Sequence, residues 1–156
     1  MTYHDDPFAP AVNTAHVWLR AVADRLGTDD RAFALRALRA WLHTVRDRLD
    51  VAVAAHFSAQ LPELLRGIFY EGWVPAHVPM HHDAASFIDR FAREAGVSED
   101  EAIALVGAVT VALSDEFSPG HLDHVLAVVP DPLRAILLGS ELGSTAGAGP
   151  SAHRAP

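Results

Sequence analysis

The strongest constraint on the fold is an apolar stripe at helical spacing in the first half of the chain. Its members recur at alternating intervals of three and four residues: Leu35, Leu38, Leu42, Val45 and Leu49. This spacing places all five side chains on one face of an α-helix. No segment between turn signals alternates apolar and polar residues over the length of a strand. The sequence therefore predicts an all-α fold.

Residues that cap or break helices divide the chain into about eight helices. Gly27 and Gly96 are each expected to end a helix in a left-handed turn. Pro62 and Pro130 are each expected to open a short helix, since proline suits the first helical turn. The first helix is expected to turn four apolar residues inward: Val17, Leu19, Val22 and Leu26.

The second half of the chain repeats the pattern of the first half. The alignment pairs Gly27 with Gly96, His56 with His124, Pro62 with Pro130, and Ile68 with Ile136. We therefore expect two tandem four-helix repeats, over about residues 13–73 and 83–142, that share one core within a single domain over residues 1–142. Residues 143–156 are rich in Gly, Ala, Ser and Pro and are predicted to form a flexible, disordered tail.

Composition excludes several classes of protein. The chain has no cysteine, which excludes Cys-ligated zinc, iron–sulfur clusters and thiol catalysis. It has no lysine, which excludes the phosphate-binding motif GxxxxGK. No GxSxG motif is present, and Ser98 and Ser118 lie at expected helix caps. We therefore expect a protein that is not an enzyme and needs no cofactor.

Charge and hydropathy bear on location and partners. The net charge of −8 argues against nonspecific binding to nucleic acid or to anionic membranes. The start, MTYHDDPFAP, has neither the basic nor the apolar segment of a secretory signal. The longest apolar-rich run, residues 102–113, is shorter than the roughly 20 residues of a membrane helix. We expect a cytoplasmic protein with no membrane partner.

Two strings of sequence resemble a known family. Residues 36–42 read RALRAWL, residues 61–73 read LPELLRGIFYEGW, and a degenerate second copy follows. Over roughly residues 13–142 the chain resembles the bacterial family known as domain of unknown function 2267. The resemblance implies a helical two-repeat protein with no established activity, and it supplies no catalytic residue. The linker, VPAHVPMHH, departs from the family pattern, so the resemblance gives its histidines no role.

Ten histidines raise the hypothesis of a metal- or haem-binding protein. His121 and His124 are three residues apart on a predicted helix and so share a face, while His81 and His82 crowd the linker. A site needs three or four ligands to converge, and no HExxH or related motif is present. We expect surface and helix-end histidines, with His56 and His124 in a shared structural role, and we keep metal binding as an alternative function.

A basic line follows the leucine stripe one residue further on. We call it the arginine ridge, and it consists of Arg36, Arg39, His43 and Arg46. We expect a solvated face that pairs locally with acids; the alternative is a strip that docks an acidic partner, a phosphate backbone or the acidic second half of another molecule. Residues 1–72 hold eight arginines and nine acidic residues, whereas residues 73–156 hold four and eleven, so the halves carry −1 and −7 of the net −8.

The second long helix is small or apolar where the first is basic. The equivalents of the ridge are Ala104, Gly107, Val111 and Ser114. A helix that is apolar nearly all round needs a neighbour on each side. We expect the first repeat to cover this face; the alternative is a symmetric dimer contact.

Two structural roles complete the predictions. Asp47 with Arg66, and Asp115 with Arg134, match between the repeats and are expected to form a recurring salt bridge between the second and fourth helices. Trp73 is expected to pack between the two repeats and to hold them together; the alternative makes it the floor of a ligand pocket.

Taken together, the sequence predicts a cytoplasmic, non-enzymatic helical protein that acts through protein–protein contacts, with another protein or as a homo-oligomer. One alternative is a histidine-based metal- or haem-binding protein. The other is a binder of an anionic ligand or of nucleic acid through the arginine ridge, although nucleic acid would need a larger basic patch.

Overall fold

A computed structural model of the chain describes residues 5–81 and 83–139. Within these ranges the protein is all-α, with no strand. The helices are α1 (Ala9–Leu26), α2 (Arg31–Arg46), α3 (Val51–Ser58), α4 (Glu63–Tyr70), α5 (Ala84–Ala95), α6 (Glu99–Glu116), α7 (His121–Val128) and α8 (Asp131–Leu137), with a 3₁₀ turn at Pro75–His77. The predicted fold class is confirmed, and the tail predicted at 143–156 lies outside the described residues.

Local signals set the helix ends where the sequence predicts them. Gly27 and Gly96 adopt φ angles of 64° and 72°, the left-handed conformation that ends α1 and α5. The Oγ of Ser98 accepts a hydrogen bond from the backbone N–H of Glu101 at the start of α6. Aspartates cap three more helices in the same way, namely Asp30, Asp50 and Asp83. These ends follow from short-range chemistry alone.

The two halves of the chain interlock around one core. The most extensive helix contacts join α1 to α6 and α2 to α5, so each half packs mainly against the other. Buried apolar residues of all eight described helices form one cluster. At its centre the indole Nε1 of Trp41 donates a 2.9 Å hydrogen bond to the Oγ1 of Thr110, which joins α2 to α6. The order of two long helices and two short ones recurs, but the two-repeat arrangement stays an interpretation of the sequence.

The inward face of α1 differs from the prediction. Val17, expected in the core, is 50% exposed, and the buried residues are Trp18, Val22 and Ala23. Trp18 packs edge-on against the ring of Phe117, with centroids 5.0 Å apart. The indole of Trp18 faces Phe117 at the end of α6. Val17, one residue earlier, lies about 100° around the helix from Trp18 and is therefore half exposed.

None of the helices in the described ranges combines the length and the hydrophobicity needed to cross a bilayer.

Candidate functional site

Two of the four residues of the predicted arginine ridge face the interior. His43 is 7% exposed and Arg46 only 3%. The Nε2 of His43 donates to the carbonyl of Ile68 at 2.7 Å, and its Nδ1 lies against the carboxylate of Glu94. Arg46 donates from Nη1 to the carbonyls of Phe69 and Glu71, at 2.8 and 2.6 Å. These two side chains therefore hold α4 and α5 against α2.

The expected solvated face and the alternative of a continuous docking strip are both wrong for these two residues, because both side chains are buried. The physical reason is that α2 packs against four other helices, α1, α4, α5 and α6, so a second face turns inward. Arg36 is exposed and lies over the ring of Phe33, and the Nε of Arg39 lies 4.0 Å from Glu71. Without His43 and Arg46, the ridge offers no line of charge to an acidic partner or to nucleic acid.

Asp47 joins three parts of the chain. Its carboxylate accepts from the Nε of Arg46 at 2.9 Å and from the Nη2 of Arg90 at 2.8 Å, and it is 5% exposed. Its backbone carbonyl accepts from the N–H of Met80 in the linker at 2.7 Å. A structural role for Asp47 was expected, but its partners are these two arginines.

The recurring salt bridges predicted with Arg66 and Arg134 are wrong. Arg66 donates to the carbonyls of Ser58 and Leu61 at the end of α3, at 3.0 and 2.9 Å. Arg134 does the same at the end of α7, with the carbonyls of Leu126 and Val129 at 2.7 and 3.1 Å. The last carbonyls of a helix lack hydrogen-bond partners within that helix. Arg66 and Arg134 donate to these carbonyls instead of pairing with the acids at the ends of α2 and α6.

The acids predicted to pair with these arginines have other partners. Asp115 pairs with Arg25 at the surface, at 3.2 Å, instead of with Arg134. Arg134 meets Asp131 three residues earlier in its own helix, at 2.9 Å. What recurs between the two halves is an arginine that caps a short helix, without an ion pair to the long one.

Three histidines meet where α3 faces α7. His56 lies beside His121 and His124, with ring centroids 5.7 and 6.3 Å apart. His121 is buried, stacks on Phe57 and donates from Nε2 to the carbonyl of that residue at 3.1 Å. Aromatic packing thus accounts for His121, one of the predicted metal ligands.

No metal site emerges from these or the other candidate histidines. Across residues 5–81 and 83–139, no three His, Cys, Asp or Glu side chains are arranged to hold an ion. His81 is exposed in the linker, and His82 lies outside the described residues. The structure brings His121 and His124 near His56 and leaves His81 elsewhere, beside a separate cleft.

That cleft, of about 380 Å³, lies between the end of α2, the linker and the turn before α8. Its walls comprise Arg48, Leu49, Asp50, Val53, Pro79, Met80, His81, Val128 and Pro130. Burial, and then the nearby Arg90, lower the pKa of the Arg48 guanidinium, which donates to the carbonyl of Asp83 at 3.4 Å. The carboxylate of Asp50 caps α3. Arg48 and Asp50, two of the polar groups of the cleft, therefore already serve the fold.

Trp73 packs beside α4. Its ring is half-buried, 5.2 Å from that of Tyr70, whose hydroxyl shares a 2.5 Å hydrogen bond with the Oγ of Ser58. The Nε1 of Trp73 is buried and has no hydrogen-bond acceptor among the described residues. Both of these contacts belong to the first half, so packing between the repeats stays a prediction.

The face of α6 equivalent to the ridge is only partly covered. Ala104 is exposed and Val111 is 39% exposed, so the prediction that the first repeat covers them is wrong. Gly107 is buried against the end of α8, where a Cβ on it would lie 2.9 Å from the Cα of Gly139. The helices of the first half occupy the other sides of α6, which leaves this face to α8 and solvent.

Val111 borders a small hollow that we call the α6–α8 patch. Its apolar members are Val111, Leu122, Leu126 and Leu138, with Thr110, Ser114, Asp115 and Asp123 beside them. The hollow has a volume of about 150 Å³. Leu138 is 55% exposed, and both aspartates are also exposed. The patch is an apolar surface with an acidic rim.

A second apolar surface, which we call the α1–α4 groove, is lined by three helices. Its lining consists of Val12, Ala15, His16, Leu19, Leu35, Leu64, Leu65 and Ile68. It encloses about 180 Å³. Val12 is 38% exposed and Leu64 46%, so both are accessible from outside. Seven of its eight lining residues are apolar.

Sequence reasoning missed this groove. The signal was a second apolar line on α1, formed by Val12, Ala15 and Leu19 at helical spacing. The sequence prediction placed Val17 in the core instead. The sequence also gives no sign that a gap remains between α1 and α4.

These features define an all-α protein whose buried charges tie helices together and whose exposed apolar surfaces lie at helix junctions. The chain belongs to the family described as uncharacterized conserved protein (DUF2267), whose profile matches residues 15–136. This confirms the resemblance found in residues 36–42 and 61–73. No curated protein matches the chain.

Proposed function

We propose that this protein acts in the cytoplasm through protein–protein contacts, without catalysis of its own, and that the α1–α4 groove receives the partner. The observation that carries the proposal is the groove itself. Val12 and Leu64 stand at its edge, 38% and 46% exposed, above a hollow whose walls are almost entirely apolar. Contiguous exposed apolar surface on a protein is typical of a site where another protein binds.

The lining of the groove suits apolar side chains of a partner segment. Three helices form its walls, α1 with Val12 and Leu19, α2 with Leu35, and α4 with Leu64 and Ile68. An amphipathic helix can place side chains at positions i, i+4 and i+7 into such a groove. Hydrophobic burial would then supply the affinity.

The buried charges support a role without catalysis. His43, Arg46 and Asp47 are each engaged by helix carbonyls or by an opposite charge. The groove contains one titratable side chain, His16, which is exposed. A nucleophile paired with a base, the arrangement that acyl transfer needs, is not found in the groove.

A pair of matched variants tests this proposal. Leu64→Glu places a charge at the groove, and Val17→Glu places one on α1 outside it, at a residue that is 50% exposed. The measurement is the native size of the protein in gently prepared extract of its own host. We expect wild type and Val17→Glu in a complex larger than one chain, and Leu64→Glu at the size of a single chain.

Thermal unfolding of the purified variants is the control, and both are expected to unfold near the wild-type temperature because both sites are accessible to water. The proposal fails if wild type runs as a single chain or if Leu64→Glu keeps the complex.

A further inference from the structure

We infer that the partner in the α1–α4 groove is a second copy of this chain, which presents its α6–α8 patch. This inference rests on the groove's proposed function as a docking surface and adds the identity of its occupant. Both surfaces are apolar, and the patch presents Leu138, 55% exposed, as a side chain that can enter the groove of another copy. What distinguishes them is the sign of the charge around them.

The surroundings of the groove are predominantly basic. Arg20 follows His16 by one turn on α1, and Arg31 and Arg39 stand one turn before and after Leu35 on α2. Arg20 and Arg31 are exposed, and the side chain of Arg39 is 35% exposed. Two acids lie on the α4 side, Glu63 before Leu64 and Glu71 beyond the helix, where it faces Arg39 at 4.0 Å. Three arginines against two acids leave this region positive on a chain of net charge −8.

The α6–α8 patch carries the opposite sign. Asp115 and Asp123 line it and are exposed, and no basic residue lines it. Asp115 pairs with Arg25, but the two side chains are 61% and 53% exposed, so that pair is well solvated and weak. The second half of the chain, which contains the patch, holds −7 of the net charge.

Complementary charge favours the groove of one copy against the patch of another. A symmetric contact of groove with groove would bring arginines towards arginines, and a contact of patch with patch would bring aspartates towards aspartates. Such like-charge contacts are penalised, whereas opposite rims steer the encounter and fix its orientation. Charge complementarity therefore favours a head-to-tail arrangement over the symmetric dimer contact that the sequence left as an alternative for this face of α6.

A head-to-tail contact has two physical consequences. When two copies meet in this way, one copy keeps a free groove and the other keeps a free patch. Assembly therefore continues into chains or closes into rings instead of stopping at two copies. The surfaces are small, which places the contact among weak interfaces that bury less than about 1,200 Å². Salt screens the rims, so raising the salt concentration should weaken the association.

The test uses two variants that each block one side of the contact. Leu64→Glu blocks the groove and leaves the patch intact; Leu138→Glu blocks the patch and leaves the groove intact. Both leucines are about half exposed, so neither change places a charge in the core. The measurement is sedimentation velocity of the full-length chain, from about 10 to about 500 µM, a range suited to a weak contact.

We expect wild type and the control Val17→Glu to form species that grow with concentration, and each blocked variant to associate at least about tenfold more weakly. An equimolar mixture of the two blocked variants is expected to form a dimer and nothing larger, because one intact groove then meets one intact patch.

Several results would overturn the inference. A wild type that stays monomeric, or a mixture that stays monomeric, excludes the head-to-tail contact. Wild-type-like association of Leu138→Glu alone indicates groove against groove, and that of Leu64→Glu alone indicates patch against patch. If purified wild type is monomeric while Leu64→Glu still loses its complex in host extract, the partner is another protein, and the proposed function stands without this inference.

Discussion

Arg46 shows how a charged residue can be misjudged from its spacing. It lies one residue beyond an apolar position on α2, which is where a solvated neighbour of the core is expected on a two-faced helix. It is 3% exposed because α2 has neighbours on more than one side. Its guanidinium is satisfied by two helix-end carbonyls and by Asp47. A buried charge of this kind is tolerated because its Nε and Nη1 donate to a carboxylate and to two carbonyls.

The buried carboxylate gives the first stability prediction. Asp47→Ala removes the shared partner of Arg46 and Arg90 and leaves a buried guanidinium without its counter-charge. We expect the free energy of unfolding, measured by urea denaturation, to fall by about 3 kcal/mol or more. The matched control is Asp89→Ala, which removes a surface pair with Arg93 and should cost less than about 1 kcal/mol. Similar losses in the two variants would contradict a special role for Asp47.

At the scale of helices, the sequence predicts ends better than neighbours. Helix ends depend on residues within one turn, so the sequence alone predicts the effects of Gly27, Gly96 and Ser98. The partners of Arg66 and Arg134 depend on how α4 and α8 approach the preceding helices, and equivalence between halves suggested the wrong acids. The equivalence itself is informative, since both arginines cap a short helix.

The crossing of α6 with the end of α8 gives the second prediction. A methyl group in Gly107→Ala would lie 2.9 Å from the backbone of Gly139, so the end of α8 must shift, and we expect a loss of about 1 to 3 kcal/mol of stability. In Gly67→Ala the new methyl group meets nothing within 4 Å on the exposed side of α4. That change should stabilise the protein by about 0.5 to 1 kcal/mol.

Chemical denaturation of both glycine variants distinguishes packing from helix propensity. If Gly107→Ala is as stable as Gly67→Ala, the close approach of α6 to Gly139 does not exist in solution.

At the scale of the whole molecule, the class of fold was predictable and the candidate site was not. Helical periodicity and the family strings suffice for an all-α chain. The α1–α4 groove, in contrast, needs residues from 12 to 68 brought together and a gap left between three helices. Whether such a gap remains open depends on packing angles that no local pattern encodes. The exposure of Val111 likewise depends on which helices pack against α6, so the sequence of α6 alone does not predict it.

The α1–α4 groove is the surface at which we propose that this protein meets its partner. The most direct test replaces Val12, and separately Val17, by a photoreactive amino acid in intact host cells. The two positions lie on one helix, are 38% and 50% exposed, and differ in that only Val12 lines the groove. We predict a crosslinked product from position 12 that disappears when Leu64→Glu is added, and none from position 17. No product from position 12, or equal products from both positions, would contradict a partner bound in the α1–α4 groove.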